Sequence, residues 1–449
     1  MLACASNMKK PPVPPVMESC VVLKEYNFSK EQMELMKQLN DTISVIGLGY
    51  IGLPTATMFA TRKKHVIGVD VKQHTVDTVN LGCTHIVEPG LDELVHEAVV
   101  NGYLRAVLAP EASDVFIIAV PTPVDHVTHA PDVSYVEAAG RSIAVVLRPG
   151  NLVVLESTSP VGTTHQLARL LSTLRPDLRF PLNGEDDVDI HLAYCPERII
   201  PGRMLKELVE NDRIIGGMSK RCAQLAAELY GMFVKGICLR TDDRTAELCK
   251  LSENAFRDVN IAFANELSMI CGDIGIDARE VIDLANRHPR VNILNPGPGV
   301  GGHCIAVDPW FIAAGAPARA RIIRTAREVN DAKPEYVVER VDRFLVGQPK
   351  ARIACLGLTY KPDVDDFRES PALHIARTLT TRYPGQVQCV DPFQEALSRS
   401  GESADGIVFG DAKQVIESAD VVLVLVGHSQ FHQLPKPDLE VIDTVGLWR

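Results

Sequence analysis

Residues 42–60, TISVIGLGYIGLPTATMFA, and residues 64–70, KHVIGVD, alternate apolar runs with glycines in one fixed order. Residues 43–46 form a short apolar run that stops at a glycine, the pattern of a strand buried on both faces. Gly47, Gly49 and Gly52 follow as G-x-G-x-x-G, and a run of helical length begins there. A second apolar run ends at Asp70, 18 residues beyond Gly52. Strand, glycine turn, helix, strand and acid in that order describe a dinucleotide fold. The first two glycines permit a tight turn and close backbone approach to a pyrophosphate, and the third lets the helix pack against the strand. The helix N-terminus favours the phosphate charge. Tyr50 and Ile51 complete the turn and are counted with the cofactor residues. Asp70 would accept hydrogen bonds from a ribose diol and repel a ribose phosphate, so NAD is expected rather than NADP.

Two more apolar runs extend this sheet. Residues 112–123, ASDVFIIAVPTP, deliver Thr122, and residues 150–164, GNLVVLESTSPVGTT, deliver Thr158. Ligands of open parallel sheets collect beyond the carboxyl ends of strands, so both threonines are candidates for the cofactor, with helix capping as the alternative. HLAYCPERIIPGR (191–203) and DRIIGG (212–217) read as further strands, with Glu197 and Arg198 at a strand end.

From Asp242 the period changes. Leu248, Leu251, Ala255, Val259, Ala262 and Leu267 recur at helical spacing, predicting one long helix. Lys250, Asn254 and Arg257 fall at i, i+4 and i+7 and share a stripe on it, either a solvated face or a site. The apolar spacing fits a subunit interface or a domain-bridging core equally. A second α/β pattern begins near Ala351 with ARIACLGLTYKP and continues with DVVLVLVGHSQF, but it lacks the full glycine fingerprint. This half is expected to bind another ligand, or the same one differently.

Between them lies NPGPGVGGHCIAVDP, residues 295–309. Gly297, Gly299, Gly301 and Gly302 make a loop suited to close approach, and Cys304 follows it. Pro309 is tolerated in a first helical turn, and the four-residue spacing predicts Cys304 and Asp308 on one helical face. A nucleophile with a polar partner and an inert thiol in a tight turn both satisfy this segment.

Composition narrows the function classes. The 449 residues suit roughly two to four domains. The formal charge of −11 argues against a general nucleic-acid or anionic-membrane surface. Eleven cysteines without a C-x-x-C pair fit a reducing cytoplasm and suggest no metal site. No apolar run spans a bilayer. The expected division is a flexible extension at 1–41, a cofactor domain at 42–241, a helical domain at 242–345 and a second Rossmann-like domain at 346–449.

The strings SVIGLGYIGLPTA, AVPTP, ESTSPVG, CPER, CKLSENAFRDVNIAFANELS, ANRHPRVNILNPGPGVGGHCIAVDPWF, GLTYKPDVDDFRESP and GLWR resemble the nucleotide-sugar 6-dehydrogenase family, the UDP-glucose/GDP-mannose dehydrogenases. The resemblance runs from Thr42 to Arg449. It implies an α/β fold of two Rossmann-like domains joined by a long central helix, and oxidation of a sugar's primary alcohol to a carboxylate with two NAD molecules. By the same resemblance Cys304 is the nucleophile, Lys250 and Asn254 stabilise oxygen, Asp308 accompanies the thiol, and Glu197 activates water. Related UDP-glucose enzymes carry a second acid four residues beyond that glutamate, where this chain has Pro201. The implied UDP-sugar contacts are Arg198, Ile199, Lys250, Asn254, Arg257, His288, Arg290, Gly301, Tyr360, Lys361 and Arg368, and the implied assembly is a homodimer or higher homo-oligomer. NRHPRVN together with GGHCIAVDPWF most resembles the branch acting on UDP-N-acetyl-D-mannosamine, with UDP-GlcNAc and UDP-glucose as alternatives. A single-step hydroxyacid dehydrogenase would use the lysine stripe without Cys304, and a non-enzymatic NAD sensor would use neither.

Overall fold

The computed structural model describes residues 41–125, 127–200, 202–398, 401–404 and 406–448. The expected extension, apart from Asp41, and Pro201 lie outside the described residues. The first sheet has eight strands in the order β3-β2-β1-β4-β5-β6-β7-β8. Its strands are β1 (Thr42–Ile46), β2 (His65–Val69), β3 (Leu104–Val107), β4 (Val115–Ile118), β5 (Leu152–Leu155), β6 (His191–Tyr194), β7 (Arg213–Gly217) and β8 (Cys238–Asp242). All neighbours pair in parallel except β6 and β7. Residues 43–46 and the whole of β4 and β5 are buried, as continuous apolar strands covered by helices on both faces must be. Strand order reverses between β1 and β4, which opens the binding crevice of a doubly wound sheet there.

The central helix Asp243–Ile274 leaves this sheet directly. Asp242 caps it by accepting from Thr245 N at 2.9 Å, and Gly275 ends it with a left-handed φ of 73°. Its 32 residues give a rod about 48 Å long. Leu251, Ala255 and Ala262 are buried as expected, but Leu248 is exposed, and Val259 and Leu267 are only half-buried. Half of the buried positions are polar, and an apolar stripe of Phe256, Phe263 and Ile270, at seven-residue spacing, points outward.

Arg321–Leu345 packs along the central helix and carries Pro334 within it. Buried polar groups join the two. Arg327 donates to Asp258 at 2.6 Å and also binds Asp331, while Asn330 Nδ2 donates to Asp258 Oδ1 at 2.8 Å. Beyond them a second, all-parallel sheet has the order β10-β9-β11-β12. Its strands are β9 (Ile353–Leu356), β10 (Val387–Val390), β11 (Val421–Val424) and β12 (Glu440–Asp443).

Candidate active site between the two sheets

Gly47 N donates to Val69 O at 2.8 Å, which closes the turn after β1 at a left-handed φ of 94°. A Cβ on Gly52 would lie 1.8 Å from Gly47 O, so only glycine lets the helix start so close to the turn. A Cβ on Gly49 would meet nothing within 4 Å, leaving the space a pyrophosphate needs. Asp70 accepts from Leu48 N at 3.0 Å and Lys72 N at 2.9 Å, which fixes its carboxylate at the tip of β2. Thr122 Oγ1 donates to Thr158 O at 2.5 Å, so the two threonines share one rim beyond β4 and β5. Neither caps a helix: the following helices begin after Val133 and Gly162. The crevice therefore fits a dinucleotide, with Tyr50 and Ile51 at its glycine turn.

The loop before Cys304 is held from both sides. Asn265, on the buried face of the central helix, accepts from Gly297 N at 2.9 Å and donates to Asn330 Oδ1 at 2.9 Å. A Cβ on Gly301 would lie 2.3 Å from Glu369 O, and one on Gly302, whose φ is 81°, would touch the Tyr360 ring at 3.0 Å. The glycines thus let the loop lie directly on the second sheet's domain. This contact stops Cys304 from joining the helix Asp308–Gly315, contrary to the shared helical face expected from spacing. Cys304 sits one turn earlier, where its carbonyl accepts from Asp308 N at 2.8 Å. Cys304 is an exposed residue.

Lys250, Asn254 and Asp308 are buried around it. Asn254 Nδ2 donates to Asp308 Oδ2 at 2.6 Å. Burial pushes Asp308 up to about 6, against the pull of the Lys250 charge and the Asn254 bond. The enclosing cleft and the Asp308 charge raise the Cys304 thiol, while Lys250, Arg257 and Arg368 lower it. Burial and Asp308 prevail, so the thiol is held above its ordinary range despite the three cations. Lys361 is held below the usual lysine range by burial and by Arg257, and burial and Asp366 push Tyr360 up to about 12.

Other expected ligand residues are placed differently. Arg368 forks Asp366 at 2.6 Å and stands over the Tyr50 ring at 5.4 Å, so it bridges the second domain to the cofactor turn. Arg198 is bound by Glu253 at 2.7 Å and donates to Asp212 O at 3.0 Å, while Ile199 packs on the first domain's core. Glu197 is buried, accepting from Arg213 at 3.2 Å and from Arg198 N at 2.5 Å. His288 and Arg290 lie exposed on the loop after the helix Ala278–Ala285.

Several buried groups near the site escaped the sequence reading. Glu247, Asp258 and Asn265 continue the stripe of Lys250 and Asn254, and this continuation was the available signal. Glu247 accepts from Gly162 N at 2.5 Å and Thr164 N at 2.9 Å, and burial pushes it up to about 7. Tyr194, wholly buried just before Cys195, is raised by burial and by the Glu247 and Asp308 charges. His129 stacks on Trp310 at 3.9 Å, which lays the loop after β4 on the helix that begins at Asp308. No local pattern announces that contact.

A dinucleotide crevice, a second nucleotide-sized domain and a polar cleft between them define a cofactor-dependent oxidoreductase. The chain belongs to the UDP-glucose/GDP-mannose dehydrogenase family: its NAD binding domain matches residues 41–234, its central domain 244–332 and its UDP binding domain 354–446. It is thus an NAD-dependent nucleotide-sugar dehydrogenase. The NDP-N-acetyl-D-galactosaminuronic acid dehydrogenase of Ralstonia nicotianae is 58% identical over 411 residues, covering 91% of this chain and 96% of that one. The UDP-N-acetyl-D-mannosamine dehydrogenase of Yersinia pestis is 54% identical over 420 residues, covering 91% and 99%. Among solved structures, the UDP-D-ManNAc dehydrogenase of Pyrococcus horikoshii superposes with a TM-score of 0.81 at 38% identity, covering 91% and 96%. Among the described residues no helix is long and apolar enough to cross a membrane.

Proposed function

We propose that this enzyme oxidises the C6 alcohol of UDP-N-acetyl-D-mannosamine to the carboxylate in two steps, through a covalent adduct on Cys304. The observation that carries the covalent step is the exposed Cys304, with Lys250, Asn254 and Asp308 buried beside it. Bound NAD supplies the hydride acceptor, and two molecules are consumed per sugar. The first oxidation removes a hydride and a proton from the alcohol, leaving an aldehyde. Asp308 takes the Cys304 proton as sulfur bonds to the aldehyde carbon, and Lys250, which holds the carbonyl oxygen with Asn254, gives that oxygen a proton to form the thiohemiacetal hydroxyl. Loss of a second hydride, with the hydroxyl proton returning to Lys250, leaves a thioester. Water oriented by Glu197 adds to it, the carbon–sulfur bond breaks, and the thiolate leaves with the carboxylate formed.

In this reading Tyr360, Lys361, Arg257 and Arg368 face the UDP-sugar, and residues 42–241, 242–345 and 346–449 hold cofactor, catalytic loop and nucleotide. Arg198 and Ile199 border the cleft, and His288 and Arg290 complete it across a homodimer interface formed by the outward stripe of Phe256, Phe263 and Ile270. An exposed apolar stripe is what such an interface requires. Phe263→Asp should then halve the mass measured by light scattering. The product is an acidic sugar donor for polysaccharide assembly, made in the cytoplasm.

The substrate assignment draws support from NRHPRVN with GGHCIAVDPWF and from the relative at 54% identity. The relative at 58% identity, named for N-acetylgalactosaminuronic acid, favours a second reading in which the acetamido sugar is the galactosamine epimer. A kcat/KM panel of UDP-N-acetyl-D-mannosamine, UDP-GalNAc, UDP-GlcNAc and UDP-glucose, with NADH counted per sugar, decides between them. Two NADH per sugar and the highest value for the mannosamine are expected. A higher value for UDP-GalNAc or UDP-glucose overturns the substrate, and one NADH per sugar overturns the mechanism.

A further inference from the structure

The second sheet repeats the backbone bonds of the cofactor turn. Gly357 N donates to Val390 O at 2.8 Å, as Gly47 N does to Val69 O. Asp391 accepts from Leu358 N at 2.6 Å and Phe393 N at 2.7 Å, as Asp70 does from Leu48 N and Lys72 N. What differs is the space in front. Gly49 opens onto nothing within 4 Å, whereas the matching residue is Thr359, buried against His428. The pyrophosphate position of this second turn is plugged by side chains.

His428 is wholly buried and ties the plug together. Its Nδ1 accepts from Asp363 N at 3.1 Å, so the ring proton resides on Nε2. Nε2 then donates towards Asp391 Oδ2 at 3.3 Å and Thr359 Oγ1 at 3.2 Å, and the Thr359 hydroxyl donates to Lys361 O at 2.9 Å. Asp363, held at a left-handed φ of 58°, accepts from Ser429 N at 2.9 Å and Ser429 Oγ at 3.0 Å. Such a φ is uncommon outside glycine and persists only where surrounding bonds fix it. Both ends of residues 359–363 are therefore bound to one imidazole, and the middle is tied to it through the Thr359 hydroxyl. The two side chains that this loop presents to the cleft are Tyr360, against Gly302, and Lys361, within the field of Cys304.

We propose that His428 is a positioning residue for the nucleotide sugar: through Thr359, Asp363 and Asp391 it sets Tyr360 and Lys361 at the height the substrate requires. This rests on the reading above, in which that loop faces the UDP-sugar. His428 is wholly buried, so its removal should act through this loop, on binding of the nucleotide sugar and not of NAD.

The test compares His428→Ala with the wild type by steady-state kinetics and by calorimetric binding of UDP alone. His428→Ala is expected to raise the KM for the UDP-sugar and the Kd for UDP about ten-fold, the loss of one or two buried hydrogen bonds. The KM for NAD should stay within about two-fold. His428→Gln, which keeps an acceptor and a donor, should recover most of the loss. An unchanged sugar KM, or an equal rise for NAD, overturns the inference. If His428→Ala does not fold, Thr359→Val decides: a sugar KM raised about three-fold supports it, and no change overturns it. A wild type that neither binds UDP nor oxidises a UDP-sugar defeats the functional reading itself, a result distinct from an unaltered variant.

Discussion

Asn254 Nδ2 donates to Asp308 Oδ2 at 2.6 Å across two helices that meet only because the glycine loop returns the chain to the central helix. The pair is buried and lies within the field of the Lys250 ammonium. A short charge-assisted bond favours the ionised carboxylate, yet burial prevails and holds Asp308 at about 6.

Acid formation should therefore fall as pH drops through about 6, because protonated Asp308 can no longer take the Cys304 proton. The folded carboxyl binds protons more tightly than the unfolded one. Its contribution to stability is fully present below the unfolded value, roughly pH 4, and is lost as pH rises through about 6. Asp308→Asn should raise stability at pH 8 by on the order of 2 to 3 kcal/mol, with no gain at pH 4, while abolishing activity. Denaturant titrations at the two pH values measure this, and an Asp308→Asn variant less stable at pH 8 contradicts it.

Cys304→Ala should separate the two oxidations. The variant is expected to form no carboxylate yet still to reduce a supplied UDP-sugar 6-aldehyde with NADH, since that exchange needs no covalent bond. Lys250→Ala should slow both directions, about a hundred-fold or more, because oxygen stabilisation is common to them. Chromatography of the acid beside NADH consumption reads both. Carboxylate formed by Cys304→Ala at near wild-type rate would make the thiol structural.

In the proposed reading Asp70 governs cofactor choice. Asp70→Ala should weaken NAD and narrow its advantage over NADP, since one change removes the ribose acceptor and the repulsion of a ribose phosphate. The ratio of kcat/KM for the two cofactors is the measurement, and an unaltered ratio counts against the role.

Arg327, wholly buried, neutralises Asp258 beneath the catalytic loop. Arg327→Leu should destabilise the enzyme by about 3–5 kcal/mol, because it strands a buried carboxylate. Asp258→Asn in the same chain should restore part of that loss. Denaturant midpoints of the two single variants and the double variant measure the coupling, and simple additivity would show that the pair does not interact.

The first sheet was legible in residues 42–70 because apolar period, glycine spacing and a terminal acid are local properties, and the strands, the turn and Asp70 all stand where that order puts them. Lys250 and Asn254 could be paired in advance for the same reason, since a helix converts sequence spacing into a shared face, although Arg257, expected on the same stripe, is exposed and Asp258 beside it takes the buried position. Spacing shows that the stripe continues through Asp258 and Asn265 but not that it is buried, because polar residues on a helix read as solvated until a second helix covers them. Nor could it place Cys304 outside the helix of Asp308, commit Arg198 to Glu253 or set His428 beneath Thr359. Those contacts join residues tens of positions apart, and their partners are chosen by how two sheets and a helical pair pack. Local sequence therefore determined the elements and the types of group available for chemistry. Only the tertiary structure decided which of those groups share a cleft, since desolvation and hydrogen bonding act between neighbours in space.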